Sequence, residues 1–450
     1  MKPLPVHPEA ASLLLRWHIG NRMSQMVRYL QFRHYPLMNK SKFFISNSKA
    51  VGSSLFVMAL SPMWTQAESS IVSGFAGSPD TIGNGSGLHD GLGGTLLDGV
   101  KLTASLSAMY DSNIDQRAAA PGESERDDFI LGLGGNVKYL SKSTDWTFGA
   151  NYRGYLRQYV EQTDSSGYDQ SAGAVVQYEG GRISASLDAK VSYDEGSNRN
   201  YNSAVVEEVD YGIGLTTRYK LSSKTTVEGK INQSYSTTIG DEFGDTEALD
   251  LGVSALWRYS PLTEWGPGLR YTFRSGSSQV DRNTIGPTIK VDYKLSTKVS
   301  LDSQMGVDFT SYDGKSGDPS FAAALGLKYK ASKLWDMSLA IVQDTEADPS
   351  NAGAFTEVTS LRLGYTRKIR RAELGLGVSY SANRAELPDE VTTTSEGEDR
   401  DYYSVDGKIG MLIFAETTAA ELFLRYSEQS SNLADTWDAV QVGVRLSRSF

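Results

Sequence analysis

The side chains that most often act as nucleophiles, general bases or metal ligands are scarce in this chain. It has no cysteine among its 450 residues, and its four histidines are His7, His18, His34 and His89. Without cysteine there is no disulfide framework, no thiolate nucleophile and no thiolate ligand for a metal. Three of the four histidines precede a predicted signal-peptide cleavage site, so a Ser-His-Asp triad or a histidine metal site lacks its central residue.

Carboxylate pairs are the remaining candidates for acid–base chemistry. Asp302 and Asp308 lie on one predicted strand, where six residues of extended chain separate them by about 20 Å. Glycosidases hold their two carboxyl groups roughly 5 to 10 Å apart. We therefore predict that the protein is not an enzyme and that it uses no cofactor and no metal.

The amino terminus carries a targeting signal ahead of any folded domain. Met38 opens a lysine-rich segment, which is followed by a short apolar run and by the small-residue site Thr65-Gln66-Ala67. This order predicts a secretory signal peptide over residues 38–67, because its apolar run is too short to span a membrane. Residues 1–37 then represent either a start codon placed too early, which we favour, or an amphipathic helix.

The composition after the signal peptide excludes some partners. Residues 68–98 are rich in Gly, Ser and Asp, which predicts a flexible periplasmic lead-in or, less in keeping with the composition, a plug inside a lumen. Residues 68–450 hold 53 acidic and 36 basic side chains. Phosphate binding needs basic patches, so we expect no nucleic-acid partner.

From residue 99 onward the chain alternates apolar and polar residues. In the first segment Leu102, Ala104 and Leu106 share one parity, whereas Thr103 and Ser105 share the other. Alternation over a dozen residues predicts a strand with one apolar and one polar face. The same pattern returns to the last residue.

The alternating segments predict about eighteen strands. They begin near residues 99, 127, 144, 168, 182, 205, 224, 245, 264, 282, 298, 318, 334, 355, 372, 400, 418 and 436. Most exceed the five or six residues typical of soluble strands. They are also long enough for the roughly 9 to 11 residues that a tilted strand needs to cross a bilayer.

The predicted connections alternate between short and long. Leu221–Lys224 and Arg370–Arg371 are tight turns, whereas Asn113–Arg126 and Arg384–Arg400 are long and acidic. Short turns at one rim and longer loops at the other are typical of outer-membrane barrels. Residues 99–450 are therefore predicted to form an all-β transmembrane antiparallel up-and-down β-barrel in the outer membrane of a Gram-negative bacterium. The alternative, a soluble all-β array or propeller, explains neither the rim asymmetry nor the signal peptide.

The carboxyl terminus resembles a barrel-assembly signal. Phe450 ends the chain, and Val442, Val444 and Leu446 precede it on one face of the last strand, although Arg448 departs from the apolar pattern. We expect this segment to be read by the barrel-assembly machinery, and the outward faces of the strands to contact outer-membrane lipid.

The predicted lumen carries charges of both signs. Five arginines are candidates for a basic rail that guides an anionic solute: Arg153, Arg157, Arg182, Arg270 and Arg274. The alternative, which we favour for most lumen charges, is that they pair across strands and solubilise the wall. Tyr155 and Phe423 are the few lumen aromatics, so an aromatic slide for sugars is not supported.

The motif Tyr110-Asp111-Ser112-Asn113 at the outer end of the first strand resembles a family of outer-membrane β-barrel porins found with exopolysaccharide and capsule synthesis clusters. The resemblance implies export of a secreted polysaccharide cargo together with a periplasmic polysaccharide-export protein. From the residues alone, we expect Asp111 and Asn113 to hold the first outer turn through Asx-type hydrogen bonds.

Two functions therefore remain open, and a third is less favoured. The first is polysaccharide export, and the second is a diffusion porin for uptake of small hydrophilic solutes. The acidic segment Ala385–Arg400 fits either as a surface loop or as a loop that narrows the pore. The third is a surface adhesin or anchor without a transport role.

Overall fold

The structure is a computed structural model that describes most of the chain after residue 98. The described ranges are 99–118, 125–198, 204–239, 245–276, 281–312, 315–316, 319–332, 334–347, 355–386, 399–414, 417–432 and 436–450. The predicted extension, signal peptide and lead-in over residues 1–98 lie outside these ranges. So does the middle of the predicted long loop, residues 387–398.

The described chain is almost entirely β-strand. The strands are β1 Val100–Asp111, β2 Asp128–Lys142, β3 Trp146–Tyr159, β4 Gly167–Glu179, β5 Ile183–Asn198, β6 Ala204–Lys220, β7 Thr225–Thr238, β8 Thr246–Ser260, β9 Thr263–Gly276, β10 Arg282–Tyr293, β11 Val299–Tyr312, β12 Lys315–Ser316, β13 Ser320–Ser332, β14 Trp335–Ala347, β15 Phe355–Ile369, β16 Ala372–Glu386, β17 Arg400–Phe414, β18 Thr418–Ser431 and β19 Trp437–Ser449. One 3₁₀ turn, Thr163–Ser165, lies between β3 and β4. Within the described ranges, no helix is long and apolar enough to cross a membrane.

The strands form one closed antiparallel sheet. Each full-length strand pairs with the next along the chain, and β1 pairs with both β2 and β19. The closing pair runs from Thr103 opposite Ser449 to Asp111 opposite Gln441. The strand β12 has two residues and pairs only with the end of β11, so eighteen strands form the wall. The predicted fold class and strand number are confirmed.

The alternation in sequence becomes two faces of the wall. On β2, Phe129, Leu131 and Leu133 point outward and are exposed, whereas Asp128 and Ile130 point inward and are buried. A closed sheet has no free edge, so every strand of the wall pairs with a neighbour on both sides. An apolar outer face on a closed barrel is the form in which β-sheets cross lipid, which makes this chain a transmembrane barrel.

The two rims differ as the sequence predicts. Short turns such as 143–145 and 180–182 join strands at one rim, and residues 112–127 form a longer connection at the other. Aromatic rings cluster at the short-turn rim, where Trp146 packs on Tyr178 at 4.8 Å and Trp335 packs on Tyr329 at 5.2 Å between ring centroids. Such girdles mark the lipid–water interface of outer-membrane barrels, with the short turns in the periplasm. The protein is an outer-membrane β-barrel.

Candidate functional site

The lumen wall is polar, in contrast to the outer face. On β18, Glu421, Phe423 and Arg425 point inward and are buried, whereas Leu422 and Leu424 point outward and are exposed. Some inward side chains contact side chains of strands that are not their neighbours in the sheet. These contacts decide the width and the charge of the passage.

Side chains of three strands that are not neighbours in the sheet meet at Arg270 of β9. Its Nε donates to Asp308 Oδ1 of β11 at 2.9 Å, its Nη2 also contacts Asp308, and Nη2 donates to Asp344 Oδ1 of β14 at 3.1 Å. Cα atoms of β9 and β14 come within 8 Å of each other. Because β10, β11 and β13 lie between these strands in the sheet, the wall bends sharply there and the lumen narrows.

Glycine and proline explain why the wall can bend at this place. β9 contains Gly266-Pro267-Gly268 and β10 contains Gly286-Pro287. Proline cannot donate to the ladder, and glycine within strands marks tight bends of barrels. The register of β8 with β9 is interrupted opposite Pro267, and that of β10 with β11 is interrupted at Gly286 and Pro287. A Cβ at position 286 would collide with the Asp308 carboxylate. Because Gly286 has no side chain, the Asp308 side chain has room to reach Arg270.

A second network of charges lies nearer the periplasmic rim. Lys290 Nζ of β10 contacts Glu228 Oε1 of β7 at 3.0 Å, and Arg218 Nη2 of β6 contacts Glu228 Oε2 at 2.7 Å. Asp292 lies 3.6 Å from Arg218 and 3.8 Å from Lys290. Only 7% of the Lys290 side chain is exposed, so its charge depends on these carboxylates. This network spans from β6 to β10 along the lumen wall.

The structure divides the five predicted rail arginines into separate groups. Arg153 and Arg157 lie on β3, while Arg270 and Arg274 lie on β9, six strands further along the sheet. Arg182 is exposed in the turn between β4 and β5. The structure therefore does not bring the five together as one continuous surface, because consecutive strands are the neighbours in this barrel.

Several of these arginines have carboxylate partners. Arg157 Nη2 contacts Asp169 Oδ1 at 2.9 Å and also donates to the carbonyl of Glu195. Arg274 Nη1 lies 2.8 Å from Asp250 Oδ1. Guidance of an anionic solute by these arginines stays a prediction.

The two predicted lumen aromatics lie flat along the wall over glycines. Tyr155 Oη is 2.8 Å from Ser107 Oγ, two strands away, and its ring covers Gly132 of β2. Phe423 covers Gly443 and has the Arg445 guanidinium 5.6 Å from its ring centroid. Because these rings follow the wall, they do not project into the passage.

The outer turn after β1 is held by the residues of the tyrosine–aspartate motif. Asn113 N donates to Asp111 Oδ1 at 3.0 Å, which is the predicted Asx-type contact. Gln441 Nε2 of β19 donates to Asp111 Oδ2 at 2.7 Å, and Asn113 Nδ2 donates to the Asp438 carbonyl at 3.2 Å. Tyr110 Oη donates to Asp127 Oδ2 at 2.9 Å. The motif therefore fastens the first loop to the strand that closes the barrel.

A second carboxylate fastens the neighbouring loop. Asp128 is buried at the start of β2 and accepts the backbone N–H groups of Glu161 at 3.0 Å and Gln162 at 2.7 Å. In the connection before β2, burial raises the pKa of the Glu125 carboxyl, and the charge of Asp438 raises it further. The contacts of Asp128 hold the start of the connection between β3 and β4 in place at the outer rim.

The predicted barrel-assembly residues lie on the lipid-facing side. Val442, Val444 and Leu446 are exposed on the outer face of β19, and the Phe450 backbone N donates to the Leu102 carbonyl at 2.9 Å. The Arg448 guanidinium lies 5.2 Å from the Phe450 ring centroid. Recognition of this segment by the assembly machinery stays a prediction.

Sequence reasoning missed Asp344 as a lumen residue. It shares its parity on β14 with Ala340 and Val342, which pair with inward positions of β13 and β15. Alternation alone was sufficient to place it inside, whereas its pairing with Arg270 depends on the bend. Among the described residues, no group of three or more His, Asp or Glu side chains is placed to hold a metal ion.

Among known proteins, this chain is similar to solved structures of outer-membrane barrels. No family model and no curated protein matches the chain. The outer membrane protein OpdK of Pseudomonas aeruginosa is 10% identical, with a TM-score of 0.42 over 79% of this chain and 100% of that one. OccAB3 of Acinetobacter baumannii is 12% identical, with a TM-score of 0.38 over 79% and 100%. The siderophore receptor PirA of P. aeruginosa is 8% identical, with a TM-score of 0.36 over 78% and 80%.

Proposed function

We propose that the protein is a diffusion porin for the uptake of small hydrophilic solutes. The observation that carries the proposal is the ion pair between Arg270 and Asp344, which joins strands that are not neighbours and narrows the lumen. The surrounding wall is charged, so the passage favours hydrated solutes over apolar ones. A narrowed polar passage suits small molecules better than a hydrated polymer.

Export of a polysaccharide is the competing proposal. It needs a passage that a hydrated glycan occupies along its whole length, together with a periplasmic export partner. The contacts of Arg270 with Asp308 and Asp344 reduce the section available to such a chain. Tyr155 and Phe423 lie against the wall over Gly132 and Gly443, so these two rings do not by themselves form a path for sugars.

The direct test uses the full-length mature protein purified from outer membranes. Reconstituted into planar bilayers, it is expected to form ion-conducting channels. In liposome-swelling assays, permeation is expected to fall steeply from a pentose through a disaccharide to a trisaccharide. Empty liposomes and liposomes with the heat-denatured protein are the controls. Absence of both conductance and swelling contradicts the proposal.

Deletion of the gene tests the competing function. Polysaccharide at the cell surface and in the medium is expected to be unchanged in the deletion strain. Loss of exported polymer, with material trapped in the periplasm, would overturn the porin proposal in favour of export.

A further inference from the structure

An open groove crosses the lipid-facing side of the wall at the place where the barrel closes. It extends from Ala372 of β16 across β17, β18 and β19 to Ala108 of β1, and its volume is about 580 Å³. The outward side chains that line it are those of alanine, valine, leucine, isoleucine and methionine. Binding sites for small molecules measure about 300 to 1,000 Å³, so the groove is large enough to hold part of a ligand.

The groove exists because the register places alanine between longer side chains. Met411 of β17 is opposite Ala420 of β18, which is opposite Leu446 of β19. In the neighbouring row, Val444 of β19 is opposite Ala108 of β1. Residues opposite each other in an antiparallel pair have Cβ atoms about 4.5 to 5.5 Å apart, so the longer side chains form walls beside each alanine.

The groove begins at the periplasmic rim and ends near the bilayer midplane. Ala372 is the first residue of β16 and follows the short turn Arg370–Arg371, whereas Ala108 lies beyond the middle of β1. Four strand spacings of about 4.8 Å separate the two, which gives a path of about 19 Å. The hydrocarbon core of one leaflet is about 15 Å deep, and the path rises obliquely across tilted strands. This is the depth that one acyl chain of the periplasmic leaflet occupies.

Three exposed arginines lie at the periplasmic end of the groove. Arg371 ends the turn before β16, and Arg448 follows Leu446 on the outer face of β19. Arg367 lies on the outer face of β15, opposite the girdle residue Trp335. Basic side chains at this level of a membrane protein contact the phosphates of lipid headgroups.

The charge of these arginines is not neutralised by the protein within the described ranges. No acid that the structure describes forms an ion pair with any of the three. On β16, Glu373 points into the lumen, has 2% of its side chain exposed and lies 3.6 Å from Lys408. The Arg448 guanidinium packs on the Phe450 ring and keeps its charge. This end of the groove therefore attracts a negatively charged group.

We propose that the groove binds one anionic glycerophospholipid of the periplasmic leaflet, with an acyl chain along the groove and the phosphate at the arginines. Guanidinium groups donate paired N–H groups to phosphate oxygens, and an acyl chain covers the apolar surface. Because the groove crosses from β19 to β1, the bound lipid contacts both strands of the closing pair. The inference does not depend on which solute passes through the lumen.

Two lipids with identical acyl chains separate headgroup charge from chain binding. Phosphatidylglycerol has a net negative charge, whereas phosphatidylethanolamine has the same phosphate with an ammonium group. In native mass spectrometry of the full-length mature protein released from detergent micelles, one phosphatidylglycerol molecule is expected to remain bound. Phosphatidylethanolamine is expected to need at least about fivefold higher concentration, the factor that one cation near an anionic headgroup supplies. Inorganic phosphate in excess is not expected to displace the lipid, because it has no acyl chain.

Filling the groove tests the acyl-chain site. Ala420→Leu adds a larger side chain on the lipid-facing surface, where the space above the alanine is open. The barrel is therefore expected to fold and to lose the bound phosphatidylglycerol. Ala185→Leu is the matched control, because Ala185 is likewise the third residue of its strand and faces outward between Ile183 and Leu187 of β5, away from the groove.

Removal of the charges tests the headgroup site. The triple variant Arg367→Gln, Arg371→Gln and Arg448→Gln is expected to lose the preference for phosphatidylglycerol over phosphatidylethanolamine. Its control removes three exposed cations from other short turns of the same rim and is expected to keep the preference: Arg182→Gln, Lys224→Gln and Lys298→Gln.

Urea unfolding in micelles shows whether the variants are folded. A ligand that binds only the folded state raises the unfolding midpoint, so phosphatidylglycerol is expected to raise it in the unmodified protein and in both controls, but not in Ala420→Leu. A variant that keeps the lipid-free midpoint is folded, so its loss of lipid reports on the site, and the arginine variant decides where Ala420→Leu does not fold. Equal retention of the two lipids by the unmodified protein, retention that survives both variants, or displacement of phosphatidylglycerol by lipopolysaccharide overturns the proposal.

Discussion

Arg270 of β9 and Asp344 of β14 form an ion pair at 3.1 Å, although three full-length strands separate them in the sheet. Asp308 of β11 shares the same guanidinium. The guanidinium therefore connects three strands that the backbone hydrogen bonds do not connect directly. In a barrel of eighteen strands, such a contact holds one part of the wall against another.

The first prediction concerns the width of the passage. Asp344→Asn removes the charge that holds β14 against Arg270 but keeps Asp308 as a partner, so the barrel is expected to fold and to show a higher single-channel conductance. Planar-bilayer recording measures the change. Glu264→Gln is the control, because Glu264 pairs with Arg258 between neighbouring strands at the periplasmic rim. Unchanged conductance in Asp344→Asn shows that this pair does not limit the passage.

The second prediction concerns stability. Glu228→Gln leaves the buried Lys290 with the longer contact to Asp292, at 3.8 Å. Removal of one partner from a buried pair costs about 3 to 5 kcal/mol of the free energy of unfolding. Urea unfolding in detergent micelles, followed by tryptophan fluorescence, measures the loss.

An exposed pair supplies the matched control for that experiment. Arg384 and Asp401 are joined at 2.7 Å near the outer rim, and 44% and 35% of their side chains are exposed. Exposed ion pairs contribute at most about 1 kcal/mol. Asp401→Asn is therefore expected to cost much less than Glu228→Gln, and equal losses would contradict the role assigned to burial.

The third prediction concerns the glycine beneath Tyr155. Gly132→Ala adds a Cβ that collides with Tyr155 Oη and Ser107 Oγ, so the ring must leave the wall. Overpacking of this kind costs about 1 to 3 kcal/mol. Gly135→Ala on the same strand is the control, since nothing lies within 4 Å of its Cβ. The urea unfolding midpoint of Gly132→Ala is expected to lie below that of Gly135→Ala, and equal midpoints contradict a role for the contact between Tyr155 and Gly132.

The fourth prediction concerns the first outer turn. Asn113 has 0% of its surface exposed and bonds to the carbonyls of Arg117 and Asp438. Asn113→Ala removes, from a fully buried position, the donor to both of these carbonyls, which costs about 1 to 3 kcal/mol locally. Faster protease cleavage between β1 and β2 in intact cells is the expected result, with Asp401→Asn, which lies at the start of β17, as the exposed control. Equal cleavage rates contradict the anchoring role.

The sequence by itself determined the strands and their two faces. Alternation is a local property with a period of two, so the start of β10 near residue 282 and the outward position of Phe129 follow from counting along the chain. The up-and-down order follows from the alternating connections. The Asx contact between Asp111 and Asn113 also followed, because the two residues are only two positions apart along the chain.

Only the tertiary structure decided how the inward charges pair. Parity places Arg270 and Asp308 in the lumen, but their distance depends on curvature, which sums small rotations over several strands. The Gly-Pro segments at 266–268 and 286–287 signal that the wall can bend, without giving the angle. Residue type alone groups Arg153 with Arg270, whereas the strand order sets them six strands apart along the sheet. Gly364 of β15 and Gly377 of β16 likewise lie opposite each other only because the register of the two strands pairs them.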